Sequence, residues 1–167
     1  MKTSKLILTL RSGSKPETTS CLPHSQLNQH GPPNVIQKLH EWCFAALPHV
    51  VNEPSGISVP GARALVLHKD CKQCNQKAFM INREFAHIHP APDLGSLHVV
   101  MDAKDAADVK AAGWGEDHYL VTQGRLTPGF LLVYSPRDEN ELETVKFIVG
   151  RSYEFATGKS LPAEAVN

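Results

Sequence analysis

The stretch Arg83–Met101, REFAHIHPAPDLGSLHVVM, holds three of the chain's nine histidines, and its reading decides the fold. If FAHIH is extended, alternate side chains share a face, so His87 and His89 point the same way. The segment Pro90–Ser96 carries two prolines, Asp93 and Gly95, and reads as a turn. SLHVVMD then returns as a neighbouring strand and brings His98 beside the pair, with Phe85 and Ile88 flanking the patch.

The rest of the chain can be read outward from this hairpin. Upstream, GISVPGARALVLH reads as one strand kinked at Pro60-Gly61. The polar loop HKDCKQCNQKA joins it to KAFMINREFAHIHP. Before these, Asn34 is placed to cap a helix over VIQKLHEWCFAALPHV, in which Val35, Ile36, Leu39, Trp42, Cys43, Ala46 and Leu47 recur at helical spacing. Downstream, Asp102 opens a helix that Gly113 closes. EDHYLVT reads as a short strand and GFLLVYSPR as a longer one. Asp138 followed by Glu141 has the form of a capping box, opening a last helix that ends at Gly158. Leu142, Val145, Ile148, Val149, Ser152 and Phe155 lie on one face of that helix.

The order α-β-β-β-α-β-β-α predicts an α+β two-layer sandwich, one mainly antiparallel sheet packed against helices. Residues 1–33 are rich in Ser, Thr, Pro, Gln and His and show no periodicity. They are expected to form a flexible, disordered N-terminal tail that folding does not need. Residues 34–167 form a single domain in this reading.

Composition excludes several functions. Lys plus Arg and Asp plus Glu are 17 each, and the pI is about 7.1, so no electrostatic footprint for nucleic acid or an anionic membrane exists. No apolar run approaches the roughly 20 residues of a membrane span. The apolar run Leu6–Leu10 is shorter than the about 7–15 residues of a signal-peptide core. A cytoplasmic location follows, with a mitochondrial transit peptide as the lesser alternative for the basic, Ser/Thr-rich start.

Cys21, Cys43, Cys71 and Cys74 are expected to be reduced thiols. Cys71 and Cys74 form a CxxC, but the second CxxC of a zinc ribbon and the strand–helix setting of a redox motif are both missing. The expectation is two free, non-catalytic thiols in a loop.

The histidines are the candidate chemistry. Buried imidazoles each need a partner, so His87, His89 and His98 on one face, with His118 at the start of a following strand, point to a site. A purely structural role is the alternative. The HxH pair plus His98 resembles facial coordination of iron, zinc or copper. Without metal, the same groups suit acid–base catalysis on a phenolic or enolic proton. Asp93 either orients a histidine or only makes the turn. Trp114 walls a pocket or covers the core. Tyr134 ends a buried strand next to the site. Arg137 grips a carboxylate or enolate, or else pairs with a neighbouring acid. Phe85, Asp93, Trp114, Tyr134 and Arg137 are taken as the substrate-binding set. Glu116 reads as solvated.

EFAHIHPAPDLGSLHVVM, AAGWGEDHYL, GFLLVYSPRDENELETV and RSYEFATG occur in this order. As a set they resemble the luciferase-domain family of fungal and bacterial proteins, which includes the luciferase of bioluminescent mushrooms, over roughly Pro48 to Gly158. The resemblance implies a small enzyme of secondary metabolism, an oxygenase or monooxygenase acting on an aromatic or enolic, polyketide- or pyrone-like molecule. It implies no organic cofactor. A redox-neutral cyclase, dehydratase or decarboxylase using the same histidines, and a non-catalytic ligand-binding module, are the alternatives. The expected partner is a small-molecule substrate, with no nucleic acid and no membrane span, and the sequence gives no oligomeric state.

Overall fold

The structure, a computed structural model, describes residues 6–162 and 165. Residues 1–5 of the expected tail lie outside the described residues. In chain order the elements are α1 Pro33–Ala45, β1 Val50–Pro54, β2 Arg63–Leu67, a 3-10 turn Gln76–Ala78, β3 Glu84–Ile88, β4 Leu97–Val100, α2 Ala103–Ala111, β5 Gly115–Asp117, α3 Tyr119–Thr122, β6 Phe130–Val133 and α4 Glu139–Thr157. The strands make one sheet in the order β1-β2-β3-β4-β6-β5, and every pairing is antiparallel. This is the α+β sandwich that the alternation predicts.

The pleat assigns the two faces. Leu65, Leu67, Ala86, Ile88, Leu97, Val99, Leu131 and Val133 point to one side, where Leu39 and Cys43 of α1 and Leu142, Val145, Ile148 and Val149 of α4 complete the core. Every one of these side chains is at most 1% exposed, and such burial contributes about 1.5–3 kcal/mol for each of the larger ones. The opposite parity, with His87 against His98 and His98 against Leu132, forms the other face.

Helix ends follow their sequence signals, with one correction. Asp102 accepts from Lys104 N at 2.9 Å, and Asp138 accepts from Glu141 N at 2.9 Å. Gly158 closes α4 at φ 68, a left-handed conformation that favours glycine. Asn34, however, does not cap α1. It lies inside the helix, which starts at Pro33 after Pro32 with no side-chain cap. Proline at the first helical position loses no hydrogen bond and is already set to the helical φ.

Two strands differ from the sequence reading. The expected kinked strand is β2 alone, and β1 is an added edge strand, VVNEP, whose exposed Asn, Glu and Pro hide any alternation. EDHYLVT splits at His118. The strand ends at Asp117, and His118 Nδ1 accepts from Leu120 N at 3.1 Å to start the one-turn helix α3.

Residues 6–32 contain no helix or strand beyond a single Thr18–Gln26 bridge, as their lack of periodicity implies. They nonetheless lie against the domain. Thr9 O accepts from Trp114 Nε1 at 2.7 Å, Arg11 N donates to Ala112 O at 2.9 Å, and Gly31 N donates to Ser135 Oγ at 3.0 Å. These bonds join irregular backbone to single groups on the sheet, a pairing that leaves no periodic trace in sequence. They argue against the expected dispensability of the segment.

Candidate active site

Hairpin β3–β4 places His87 opposite His98, and the strand's continuation carries His89 beside them. Ring centroids are 4.9 Å apart for His87 and His98, 4.6 Å for His89 and His98, and 5.2 Å for His87 and His89. His118 stands edge-on to His98 at 4.4 Å. The four histidines that the sequence singles out therefore converge. A fifth joins them: His24, from the N-terminal segment, stacks on His98 at 5.8 Å and meets His118 at 5.4 Å. Nothing in the periodicity could have found it, because it comes from irregular chain.

These imidazoles line a cleft of about 620 Å³. Its walls are largely apolar, including Pro23, Val59, Phe79, Met80, Leu126 and Phe130. A small, mainly apolar molecule fits such a space.

Hydrogen bonds fix where the protons sit. His87 Nδ1 donates to Glu84 Oε1 at 2.7 Å. In the neutral ring Nε2 is then an acceptor, and His98 Nδ1 donates to it at 3.0 Å. That leaves His98 Nε2 bare, buried and without a partner. His89 Nδ1 donates to Asp93 Oδ2 at 2.7 Å with Ser96 Oγ at 3.0 Å, so its Nε2 also carries a free lone pair. His118 is the reverse case. Its Nδ1 accepts from Leu120 N, so Nε2 carries the proton and can donate to a ligand. His24 Nδ1 accepts from Tyr119 N at 3.2 Å and its Nε2 donates to Glu116 Oε1 at 3.0 Å.

Burial favours the neutral form of His87, His98 and His118. The His98 pKa is held well below the usual imidazole range, first by desolvation and then by repulsion from His87, His89, His118 and His24. His118 is brought down to about 4, by burial and by His24, His87 and His89. His87 is lowered by burial, against the opposing pull of Glu84. Burial would raise the Glu84 carboxyl, but hydrogen bonds from His87, Ser55 and Gly56 outweigh it and hold the group below the usual carboxylate range.

The expected substrate-binding set fares differently. Asp93 is placed behind His89 and accepts from Gln26 N at 3.0 Å with the same oxygen, so it serves the site from outside the cleft. Phe85 is not at the patch. The β2–β3 register slips between Leu65 and Val66, so Leu65 pairs Ala86 while Val66 pairs Glu84. The bulge skips Phe85, which is fully buried in the core with its ring 6.4 Å from Tyr153, and puts Glu84 on the histidine face. Ile88 also faces the core.

Trp114 is a core residue whose indole donates to Thr9 O. Tyr134 donates to Glu116 Oε2 at 2.8 Å under the Arg11 guanidinium, 5.5 Å from its ring, and borders a neighbouring depression instead. Arg137 is paired with Glu141 and donates to Ser12 O at 2.9 Å. None of the four lines the histidine cleft. Glu116 is not simply solvated. Burial would raise it, yet His24, Lys15, Thr18 and Tyr134 together bring it to about 2.

Cys71 and Cys74 stand apart from the cleft as free thiols. Cys74 Sγ donates to Cys71 O at 2.9 Å and receives Arg83 Nη2 at 3.2 Å. Burial and Cys74 push the Cys71 thiol up, away from the reactive thiolate.

Comparison with known proteins agrees with the resemblance read from the sequence. Residues 82–152 match the family described as the Luciferase domain. A luciferase of Armillaria ostoyae is 38% identical over 79 residues, which is 45% of this chain and 29% of that protein. A luciferase of Armillaria gallica is 27% identical over 165 residues, covering 88% of this chain and 60% of the relative. One from Neonothopanus nambi is 37% identical over 79 residues, 45% of this chain and 28% of the relative. The chain thus spans less than two thirds of the length of these relatives. No solved structure matches it. Among the described residues no helix is long and apolar enough to cross a membrane. The matched segment contains β3, β4, β6 and four of the five clustered histidines, and over it the chain is similar to the luciferase-domain family.

Proposed function

We propose that the domain oxidises, with dioxygen, an aromatic or enolic small molecule of polyketide- or pyrone-like type held in the histidine cleft. The observation that carries this reading is a cluster of buried imidazoles lining a largely apolar cleft, with His89 Nε2 opposite its carboxylate-bound Nδ1 and an Nε2–H on His118. His89 Nε2 takes the substrate's hydroxyl proton, and Asp93 steadies the imidazolium through Nδ1–H. His118 Nε2–H donates to the resulting oxyanion, which is worth most where water is excluded. The electron-rich enolate carbon then forms the new C–O bond with dioxygen, supplying both electrons of that bond. The relatives, which are longer chains, are named luciferases, and that name supports an oxidative reading.

The test is oxygen uptake by the purified chain with a hydroxylated pyrone as probe. Uptake that matches probe loss and disappears in His118→Ala supports the proposal. Equal turnover under anaerobic conditions would instead mean redox-neutral acid–base chemistry, and saturable binding without product a ligand-binding module.

A further inference from the structure

We propose that His87, His89 and His98 form a binding site for one divalent first-row transition-metal ion, with Glu84 and Asp93 as the carboxylates behind two of the ligands. This goes beyond the reaction proposed above and stands whether or not that reaction is found.

The first argument is distance. One nitrogen from each ring lies within 4.8 Å of the others, and all three residues are buried. Nitrogens bound tetrahedrally to one ion at about 2.0–2.1 Å are about 3.4 Å apart, so closing the set needs each ring to shift by about 1 Å or less.

The second argument is what stands behind the rings. Imidazole ligands of metals commonly give their other N–H to a carboxylate, which fixes the ring and leaves the second nitrogen free. His87 gives its Nδ1–H to Glu84 and His89 to Asp93, each at 2.7 Å, and His87 Nε2 is held only by His98 Nδ1 of the same trio, a bond the ion would replace. Glu84 is itself locked, accepting from Ser55 Oγ at 2.8 Å and from Gly56 N at 3.1 Å. It reaches His87 only because the β3 bulge turns it to this face. A second observation is independent of these pairs: His98 is 5% exposed, and its Nε2 has no partner. A buried polar atom left unpaired in this way calls for a ligand.

The donor set names the class of ion. Three imidazoles with no thiolate suit zinc, copper, iron, cobalt or nickel and give magnesium or calcium little hold. Three protein ligands leave coordination positions for water or a substrate oxygen. A bound ion would act as a Lewis acid, polarising a substrate oxygen that binds at an open position. His24, His98 and His118 make a second trio within 4.8 Å. That set is poorer, because backbone N–H groups of Tyr119 and Leu120 occupy Nδ1 of His24 and of His118, and only His24 has a carboxylate behind it.

Titration of chelator-treated full chain with Co²⁺, followed by its visible d–d absorption, tests the site. The expected result is one equivalent bound, lost in His89→Ala and His98→Ala and kept in His118→Ala. Glu84→Gln, which keeps the shape of the side chain, should weaken binding by about 10–100-fold. Circular dichroism identifies any variant that fails to fold, and Glu84→Gln then decides. No stoichiometric binding, equal binding by folded His89→Ala, or loss in His118→Ala alone would overturn the proposal. Oxygen uptake by metal-free and Co²⁺-loaded chain is read separately, so failure of the reaction and failure of the site remain distinct.

Discussion

Glu84 Oε1 lies 2.7 Å from His87 Nδ1, although residues three apart on a regular strand point to opposite faces. The register slip opposite Leu65 and Val66 removes that contradiction. One skipped residue therefore moves Phe85 into the core and brings a carboxylate to the histidines.

Glu84→Ala should lower stability by about 1–3 kcal/mol, because it leaves the His87 N–H and the Ser55 and Gly56 donors without their acceptor. Glu84→Gln should cost clearly less, since its amide oxygen can still accept one of these bonds. Urea unfolding of the two variants checks the order, and equal losses would count against the hydrogen-bond explanation.

His118→Ala should abolish activity while changing stability by about 1 kcal/mol or less. Among the described residues its ring makes one hydrogen bond, the cap on Leu120 N, and its Nε2 is left for a ligand. Thermal melts beside oxygen-uptake assays separate the two effects. A melting loss as large as that of Glu84→Ala would mark His118 as structural.

The N-terminal segment should matter for stability. A Cβ at Gly31 would stand 1.8 Å from Pro136 O, a backbone atom that cannot swing away. Gly31→Ala should therefore loosen residues 17–30, carry His24 off His98, and lower the melting temperature by several degrees. Deleting residues 1–32 should do at least as much. Unchanged melting in both would restore the view of this segment as dispensable.

Stability should fall on mild acidification. In the unfolded chain an imidazole protonates near pH 6.5, whereas folded His118 stays neutral down to about 4. Between these values the unfolded state binds the proton that the folded state refuses, so the free energy of unfolding drops as pH falls. The contribution is complete above about pH 6.5 and gone by about pH 4, on the order of 3 kcal/mol for this group. Burial-lowered His98 and His87 act in the same direction. Glu116, at about 2, responds only below its ordinary carboxylate range. Urea midpoints measured from neutral to acid pH should show the decline, and His118→Ala should flatten part of it.

Sequence alone determined the sandwich, the β3–β4 hairpin and the meeting of His87, His89 and His98. These follow from the period-2 pleat, a short Pro- and Gly-bearing turn and helix caps at Asp102, Asp138 and Gly158, all local rules acting within a few residues. The edge strand β1 was hidden because its exposed residues carry no alternation. Tertiary structure alone decided that Glu84 replaces Phe85 at the site, that His24 enters it from distant irregular chain, and that Tyr134 and Arg137 turn to Glu116 and Glu141. A bulge is a choice made by the partner strand, and a docked loop or ion pair depends on groups far away in sequence. Neither leaves a period for the sequence to show.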